Sequence, residues 1–166
     1  RYSKCQKTGD EQQQEETEQQ LLAAECDGKL SGEMWKGFLK GKDFVSFMAV
    51  SKPWRALAQN TTVLDLSDTE INDVQLVQLL SYFPCLQKLL LQRCNNLVSP
   101  TISSKTLKAL NLSNCRGLKN PTINCRNLEL LMFANCTDLV NCAVCGMAKK
   151  SSKLKVLDLD NCQNIT

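Results

Sequence analysis

Apolar and polar positions follow one repeated frame through the C-terminal part of the chain. The segments LQKLLLQRC, LKALNLSNC, LELLMFANC and LKVLDLDNC all place leucine, two residues, leucine, one residue, an apolar residue, two residues and cysteine in that order. The alternation at the centre predicts a short strand, with Leu110 and Leu112 pointing inward and Asn111 pointing outward. With an earlier frame included, the central leucines are Leu64, Leu89, Leu110, Leu131 and Leu157.

These central leucines are spaced by 25, 21, 21 and 26 residues. A period of about 20–29 residues with this consensus is typical of leucine-rich repeats. The predicted fold is therefore α/β: over residues 61–166, a right-handed leucine-rich-repeat solenoid with parallel strands on the concave face. It has about five repeats, and the last is truncated. The longer units have room for helices, one in DVQLVQLLSYFP with Asp73 as its cap and a shorter one in CAVCGMAKK. The 21-residue units are too short for a full helix, so their convex side is expected to be extended or turn-like.

The residues before the repeats divide into two segments. Residues 1–26 are polar, as in EQQQEETEQQ, and this composition predicts a disordered or loosely helical lead-in. Residues 27–60 predict a small all-helical segment of two or three short helices, with Ser31, Asp43 and Pro53 at or near their starts. This segment has large aromatic side chains but little material for an independent core, so we expect it to pack on the repeats or on a partner.

Four cysteines share one position of the frame, three residues after the last apolar strand residue. They are Cys94, Cys115, Cys136 and Cys162. A small side chain fits where the chain turns into the core, and its weak S–H donor can meet a backbone carbonyl left unpaired by the turn. This predicts a packing role. A zinc site is the alternative, because NCAVCG supplies Cys142 and Cys145 downstream of Cys125 and Cys136. It is disfavoured because there is one C-x-x-C motif, no histidine, and Cys136 already has its repeat role. A thioredoxin-like redox centre is disfavoured too, since the motif lacks its strand–turn–helix setting. No metal and no other cofactor is predicted.

Composition narrows the possible functions. The net charge of +3 is small, and charges of both signs are spread along the chain. The chain has no basic stripe with interleaved aromatic residues, so no nucleic-acid partner is predicted. No apolar run approaches the roughly 18–20 residues of a membrane span. Ten cysteines, four of them at one repeat position, favour a reducing compartment, cytoplasm or nucleus. Without histidine there is no Ser–His or Cys–His nucleophile, so no enzyme is predicted. Because the chain starts at Arg1 and stops at Thr166 within a repeat, we expect it to be part of a longer protein.

The junction between the helical segment and the repeats carries a family resemblance. The stretch DFVSFMAVSKPWRALA, Asp43 to Ala58, followed by cysteine-containing repeats, resembles an F-box joined to leucine-rich repeats. The chain is similar to the F-box/leucine-rich-repeat family of substrate receptors of cullin-RING ubiquitin ligases. It departs from the family at the start of the F-box, where Ser31 replaces a proline and the first helix is shorter.

The resemblance implies that the F-box-like segment binds a Skp-family adaptor of a cullin complex. The residues that would contact the adaptor or support that contact are Leu30, Trp35, Phe38, Leu39, Phe44, Val50, Trp54 and Leu57. In an alternative interpretation these side chains only form a small core that caps the solenoid. A third interpretation assigns them to some other partner.

The resemblance also implies that the concave strand face binds an unidentified protein client. The residues predicted to form that face are Lys88, Leu90, Gln92, Asn111, Ser113, Leu130, Met132, Asp158 and Asp160. Leu90, Leu130 and Met132 are apolar where solvent is expected, which either marks an interaction site or reflects scattered or covered apolar residues. The predicted function is a non-catalytic substrate receptor. Its alternatives are an interaction scaffold with a helical cap, and a regulatory repeat module whose flanks carry an enzyme or a RING-type zinc domain.

Overall fold

A computed structural model of the protein describes residues 29–30, 56 and 58–165. The elements in chain order are β1 (Lys29–Leu30), β2 (Val63–Asp65), α1 (Asp73–Leu80), β3 (Lys88–Leu90), β4 (Thr101–Ser103), β5 (Ala109–Asn111), β6 (Thr122–Asn124), β7 (Leu130–Met132), α2 (Asn141–Lys150) and β8 (Val156–Asp158). The described part is thus an α/β structure of short parallel strands and two short helices.

The main sheet has the strand order β1-β2-β3-β5-β7-β8, and every pairing in it is parallel. Each repeat from β2 onward contributes one three-residue strand to this sheet. The pairing register aligns the central leucines, Leu64 with Leu89, then Leu110, Leu131 and Leu157. The all-parallel arrangement predicted from the repeat frame is confirmed, because identical positions of successive repeats lie beside one another.

The two 21-residue intervals have extended returns, as predicted. β4 and β6 pair in parallel as a second, two-stranded sheet, with Ile102 beside Ile123. Both isoleucines are buried in the same apolar cluster as the central leucines Leu89 and Leu110. A strand of three residues covers this side of the core where the chain is too short to form a helix, and its side chains alternate between core and solvent.

The longer intervals contain the two helices, as predicted. The cap of α1 is Asn72 and not Asp73: the Asn72 side chain accepts the Gln75 backbone N–H at 2.9 Å, and the Gln75 side chain accepts the Asn72 backbone N–H at 3.1 Å. This reciprocal pair is a capping box, which satisfies donors at the helix start. Leu76 and Leu79 are buried on the apolar side of α1.

The N-terminal end of the main sheet differs from the all-helical prediction for residues 27–60. Lys29–Leu30 forms β1, which pairs with β2 and so supplies hydrogen-bond partners to an otherwise open strand edge. Residues 56 and 58–60 are helical, as expected. Ala58 is fully buried and its carbonyl accepts the Thr61 N–H at 3.3 Å, so the end of this segment packs against the first repeat.

The far edge of the sheet is less covered. Leu157, predicted to point inward like the other central leucines, is 37% exposed, and Val156 beside it is 49% exposed. The reason is positional: β8 is the last strand in the sheet order, and no further described repeat packs against it.

Candidate interaction surface

The residues predicted to bind a client lie in rows across the main sheet. The pairing register places Lys88, Ala109, Leu130 and Val156 side by side, one from each of four neighbouring strands. A second row, two residues further along each strand, is Asp65, Leu90, Asn111, Met132 and Asp158. Gln92, Ser113 and Asp160 follow the strands, and their carbonyls accept N–H groups from the preceding repeat. The structure therefore brings the predicted residues together as one array, which we call the strand face.

Access to the strand face is uneven. Lys88 and Asp160 are exposed, whereas Leu90, Gln92, Leu130, Met132 and Asp158 are half-buried. Asn111 and Ser113 are buried, with only 9% and 5% of their surfaces exposed. The prediction that these two side chains face solvent is therefore wrong. For Asn111, the register places a larger side chain on each side, Leu90 on one strand and Met132 on the other.

Three second-row polar residues have a local structural role. Asp65, Asn111 and Asp158 each accept, through a side-chain oxygen, the backbone N–H of the residue two positions later, at 3.0, 2.9 and 3.0 Å. Such a bond stabilises the turn that leaves the strand. Because leucine and methionine have no comparable acceptor, the repeats with Leu90 and Met132 lack this bond and instead present a large apolar side chain to the face.

These apolar side chains form a small strip on the strand face. Leu130 lies beside the partly exposed Val156, and Leu90 and Met132 flank the covered Asn111. We call Leu90, Leu130, Met132 and Val156 the apolar strip. Partly exposed neighbouring apolar residues of this kind are typical of surfaces that bind another protein.

The repeated cysteines lie in a column and link successive repeats. The Cys115 Sγ donates to the carbonyl of Leu91 at 3.0 Å, and the Cys136 Sγ donates to that of Leu112 at 3.1 Å. Cys94 and Cys162 do the same, to Leu66 at 3.1 Å and to Phe133 at 3.2 Å. The predicted bond from thiol to backbone carbonyl is confirmed.

The accepting carbonyls are not left unpaired by the turn, contrary to the prediction. The Leu91 carbonyl also accepts the Cys94 backbone N–H of its own repeat at 3.3 Å, and the Leu112 carbonyl accepts that of Cys115 at 3.3 Å. Since a carbonyl oxygen has two lone pairs, one bond closes the turn and the other joins the next repeat.

The backbone is left-handed at the residue before each of the four repeated cysteines, and at the residue before Thr69, which holds the same position in the first repeat. Among the described residues, the five non-glycine residues with positive φ are Asp68, Arg93, Asn114, Asn135 and Asn161, with φ from 57° to 63°. Asparagine and aspartate tolerate this conformation better than most side chains, and they occupy four of these five positions. The turn directs the Asn114 N–H to the carbonyl of Ala134 in the next repeat, at 2.7 Å.

Burial makes the thiol groups of these cysteines harder to ionise. It raises the pKa of Cys115 and of Cys136 from 9.0 to about 12, and it raises the pKa of Cys94, Cys125 and Cys162 as well. A thiol that stays protonated at neutral pH donates a hydrogen bond but is a poor nucleophile or metal ligand. The column is therefore suited to packing.

The arrangement of the NCAVCG motif bears on the zinc alternative. Cys145 is exposed on α2, whereas Cys125 and Cys136 are buried, with their thiols directed at the carbonyls of Ile102 and Leu112. Among the residues whose side chains the structure describes, which do not include Cys142, no group of three or more potential metal ligands is placed to hold an ion.

Charge divides between the two edges of the main sheet, a feature that sequence reasoning missed. The starts of the main strands and the segments that lead into them form the amino edge. Among the described residues, this edge carries the cations Lys88, Lys105, Lys108, Arg126, Lys150, Lys153 and Lys155 and the acid Glu129. The ends of the main strands and the segments that leave them form the carboxyl edge. Among the described residues, this edge carries Asp65, Asp68, Glu70, Asp73, Asp138, Asp158 and Asp160 against Arg93, Arg116 and Lys119. Overall charge hides this division, and only the alignment of repeats could have indicated it.

The carboxyl edge pairs its charges across repeats. Arg93 forms a bidentate ion pair with Asp68, and Asp73 accepts the backbone N–H groups of Val98 at 3.0 Å and Ser99 at 2.9 Å. An open depression of about 500 Å³ lies here, with Asn95 and Arg116 in its lining. Since Asp68 already occupies the Arg93 guanidinium, we assign the depression no ligand.

Most residues predicted to bind an adaptor lie outside the described residues. These are Trp35, Phe38, Leu39, Phe44, Val50, Trp54 and Leu57. Leu30 belongs to β1, the strand paired with β2.

No protein-family model matches the chain, and no curated protein matches it significantly. Within the described residues, no helix has the length and apolarity needed to cross a membrane.

Proposed function

We propose that the chain is a non-catalytic substrate receptor of a cullin-based ubiquitin ligase, built as an F-box followed by a leucine-rich-repeat solenoid. The F-box-like segment recruits the Skp-family adaptor, and the strand face binds a protein client. Ubiquitin transfer belongs to other subunits, and this chain contributes proximity by holding the client near the charged conjugating enzyme. Its compartment is the cytoplasm or nucleus, and the free thiols of the column favour such a reducing environment.

The apolar strip is the structural observation that supports client binding. At Leu90 and Met132 a half-buried apolar side chain stands where other repeats use aspartate or asparagine to stabilise their own turn. These two repeats therefore forgo a local hydrogen bond and gain a surface that can bury apolar area against a partner. The proposal that the chain binds an adaptor is supported by the F-box-like sequence between Asp43 and Ala58.

A scaffold with a helical cap is the second candidate, and a specific contact favours it. β1 pairs with β2, and Ala58 is buried against the first repeat. Residues before the repeats thus cover one end of the array, as terminal caps do in repeat proteins. Capping alone requires no adaptor.

Co-purification with a Skp-family adaptor separates the two candidates. We expect the wild-type chain to retain the adaptor, and Trp54→Ala and Phe44→Ala to lose most of it. Gln92→Ala, on the strand face, is the matched control and should retain as much adaptor as wild type. If the wild-type chain retains none while its circular dichroism shows a folded repeat array, the scaffold replaces the receptor.

A further inference from the structure

The second sheet ends in a groove on the amino edge. This groove, about 620 Å³ in volume, is lined by Ser103, Ser104, Lys105, Asn124, Arg126 and Asn127, and we call it the basic groove. It lies where β4 and β6 lead back toward the main sheet, and none of its lining residues belongs to the strand face. Its function is therefore separate from the receptor proposal above.

Two further cations are held at the basic groove by its asparagines. The Lys150 Nζ donates to the Asn124 Oδ1 at 2.9 Å, and the Lys153 Nζ donates to the Asn127 Oδ1 at 2.8 Å. An ammonium group has three donors, so each lysine keeps donors for a ligand. Because the acceptors are neutral amides, the positive charges are positioned without being neutralised.

Among the described residues, Glu129 is the one carboxylate whose charge acts on these cations, and it acts on Lys153 more weakly than on Lys155. The acid of the amino edge, Glu129, accepts the Lys155 Nζ at 2.6 Å, and this lysine holds the pKa of the Glu129 carboxyl below its usual value. Lys105, Arg126, Lys150 and Lys153 form no ion pair within residues 58–165. These four neighbouring cations outnumber the described carboxylates that act on them, so they produce a positive potential that attracts an anionic partner.

An apolar pocket adjoins the basic groove. Its volume is about 210 Å³, and it shares Ser103, Ser104 and Lys105 with the groove. Its other lining residues are Leu80, Phe83, Pro84, Leu86, Ile102 and Leu107. A ligand that reaches both cavities must carry an apolar group close to its negative charges.

This combination favours a protein segment over a nucleic acid. The basic groove has no aromatic side chain on which a base could stack, and stacking is the usual feature of single-strand binding. The acidic carboxyl edge would also repel a long polyanion that continued past the amino edge. A short acidic peptide places its charges locally and can supply an apolar side chain.

We propose that the basic groove and the adjoining apolar pocket bind an acidic segment of a partner protein, with carboxylates on the cations and an apolar side chain in the pocket. Lys105 and Arg126 contact the carboxylates directly. Lys150 and Lys153 add charge from the rim.

Fluorescence anisotropy with the full 166-residue chain and a labelled peptide of glutamates around one leucine tests this directly. We expect saturable binding that weakens with added salt and weakens about tenfold or more in the exposed double variant Lys105→Gln with Arg126→Gln. Arg116→Gln, a cation of the carboxyl edge, is the matched control and should bind as wild type does. A peptide with glycine in place of the leucine should bind several-fold more weakly.

Several outcomes overturn the proposal. They are no binding of the glutamate peptide, equal loss in the control and double variants, or equal binding of a peptide with glutamine in place of every glutamate. Tighter binding of a single-stranded oligonucleotide at the same sites assigns the groove to nucleic acid instead. If the peptide binds only after Glu15, Glu16 and Glu18 are replaced by glutamine, the chain's own acidic stretch is the occupant and the partner assignment fails.

Discussion

Replacing Cys115 by alanine removes one sulfur from the interior of the cysteine column. The side chain is fully buried, and its Sγ donates to the Leu91 carbonyl at 3.0 Å. The lost burial is comparable to that of one methylene group, about 0.8 kcal/mol. The lost hydrogen bond adds about 1 kcal/mol. We therefore expect the free energy of unfolding to fall by about 2 kcal/mol.

Urea unfolding followed by circular dichroism measures this loss as a lower midpoint with an unchanged slope. Cys115→Val keeps the apolar volume but removes the donor, so we expect it to cost about 1 kcal/mol and to separate the bond from the packing. Cys162→Ala should cost less than Cys115→Ala, because Cys162 is 7% exposed and lies in the last described repeat.

The exposed Cys85 is the control for this series. Cys85→Ala removes the same atom from a surface position and should change the unfolding free energy by less than about 0.5 kcal/mol. Equal midpoints for Cys85→Ala and Cys115→Ala would refute the role of the column in holding repeats together.

Three further predictions concern the same array. Asp73→Ala should lower the unfolding free energy by about 1–2 kcal/mol in urea, because the N–H groups of Val98 and Ser99 lose their acceptor; an unchanged midpoint would contradict this. Ser113→Ala should be neutral or raise that free energy by up to about 1 kcal/mol, because it removes a buried hydroxyl that has no partner; a clear loss would show that the hydroxyl is bonded. Stability should fall as pH rises above 9, because the unfolded chain ionises the Cys115 thiol at 9.0 whereas burial raises its folded pKa to about 12. Urea midpoints across this pH range measure the fall, and Cys115→Ala should make it shallower.

The repeat frame was enough to predict five of the six strands of the main sheet, all except β1. A leucine that recurs every 21–26 residues can be buried in every repeat only if equivalent positions of successive repeats lie side by side. The structure has this register, with Leu64 beside Leu89 and Leu89 beside Leu110. The extended returns of the short units followed from length, since a full helix does not fit between their strands.

Local hydrogen bonding at α1 was harder to predict. Asn72 and Asp73 are both good cap residues, and the sequence does not say which of them the chain will use. The capping box with Gln75 favours Asn72, and the Asp73 carboxylate is needed by two N–H groups of the next repeat. Val98 and Ser99, which supply these N–H groups, lie about one repeat after Asp73, and the local sequence pattern around α1 does not include them.

The candidate surfaces were predicted only in part. The alternation of strand residues placed Asn111 and Ser113 on the face correctly, but exposure depends on the size of the neighbours that the register brings beside them. The basic groove was missed for a related reason, because Lys105, Arg126 and Lys153 are separated by about one repeat each and become neighbours only when the units stack.

The amino-acid sequence by itself determined the repeat length, the strand positions and the position of the buried cysteines within each repeat. The reason is that the same apolar residues can be buried in every repeat only if the repeats are arranged periodically. Only the tertiary structure decided which outward side chains remain accessible and where, among the described residues, cations outnumber carboxylates. Both properties depend on contacts between repeats, and those contacts arise from the parallel register and not from any single segment.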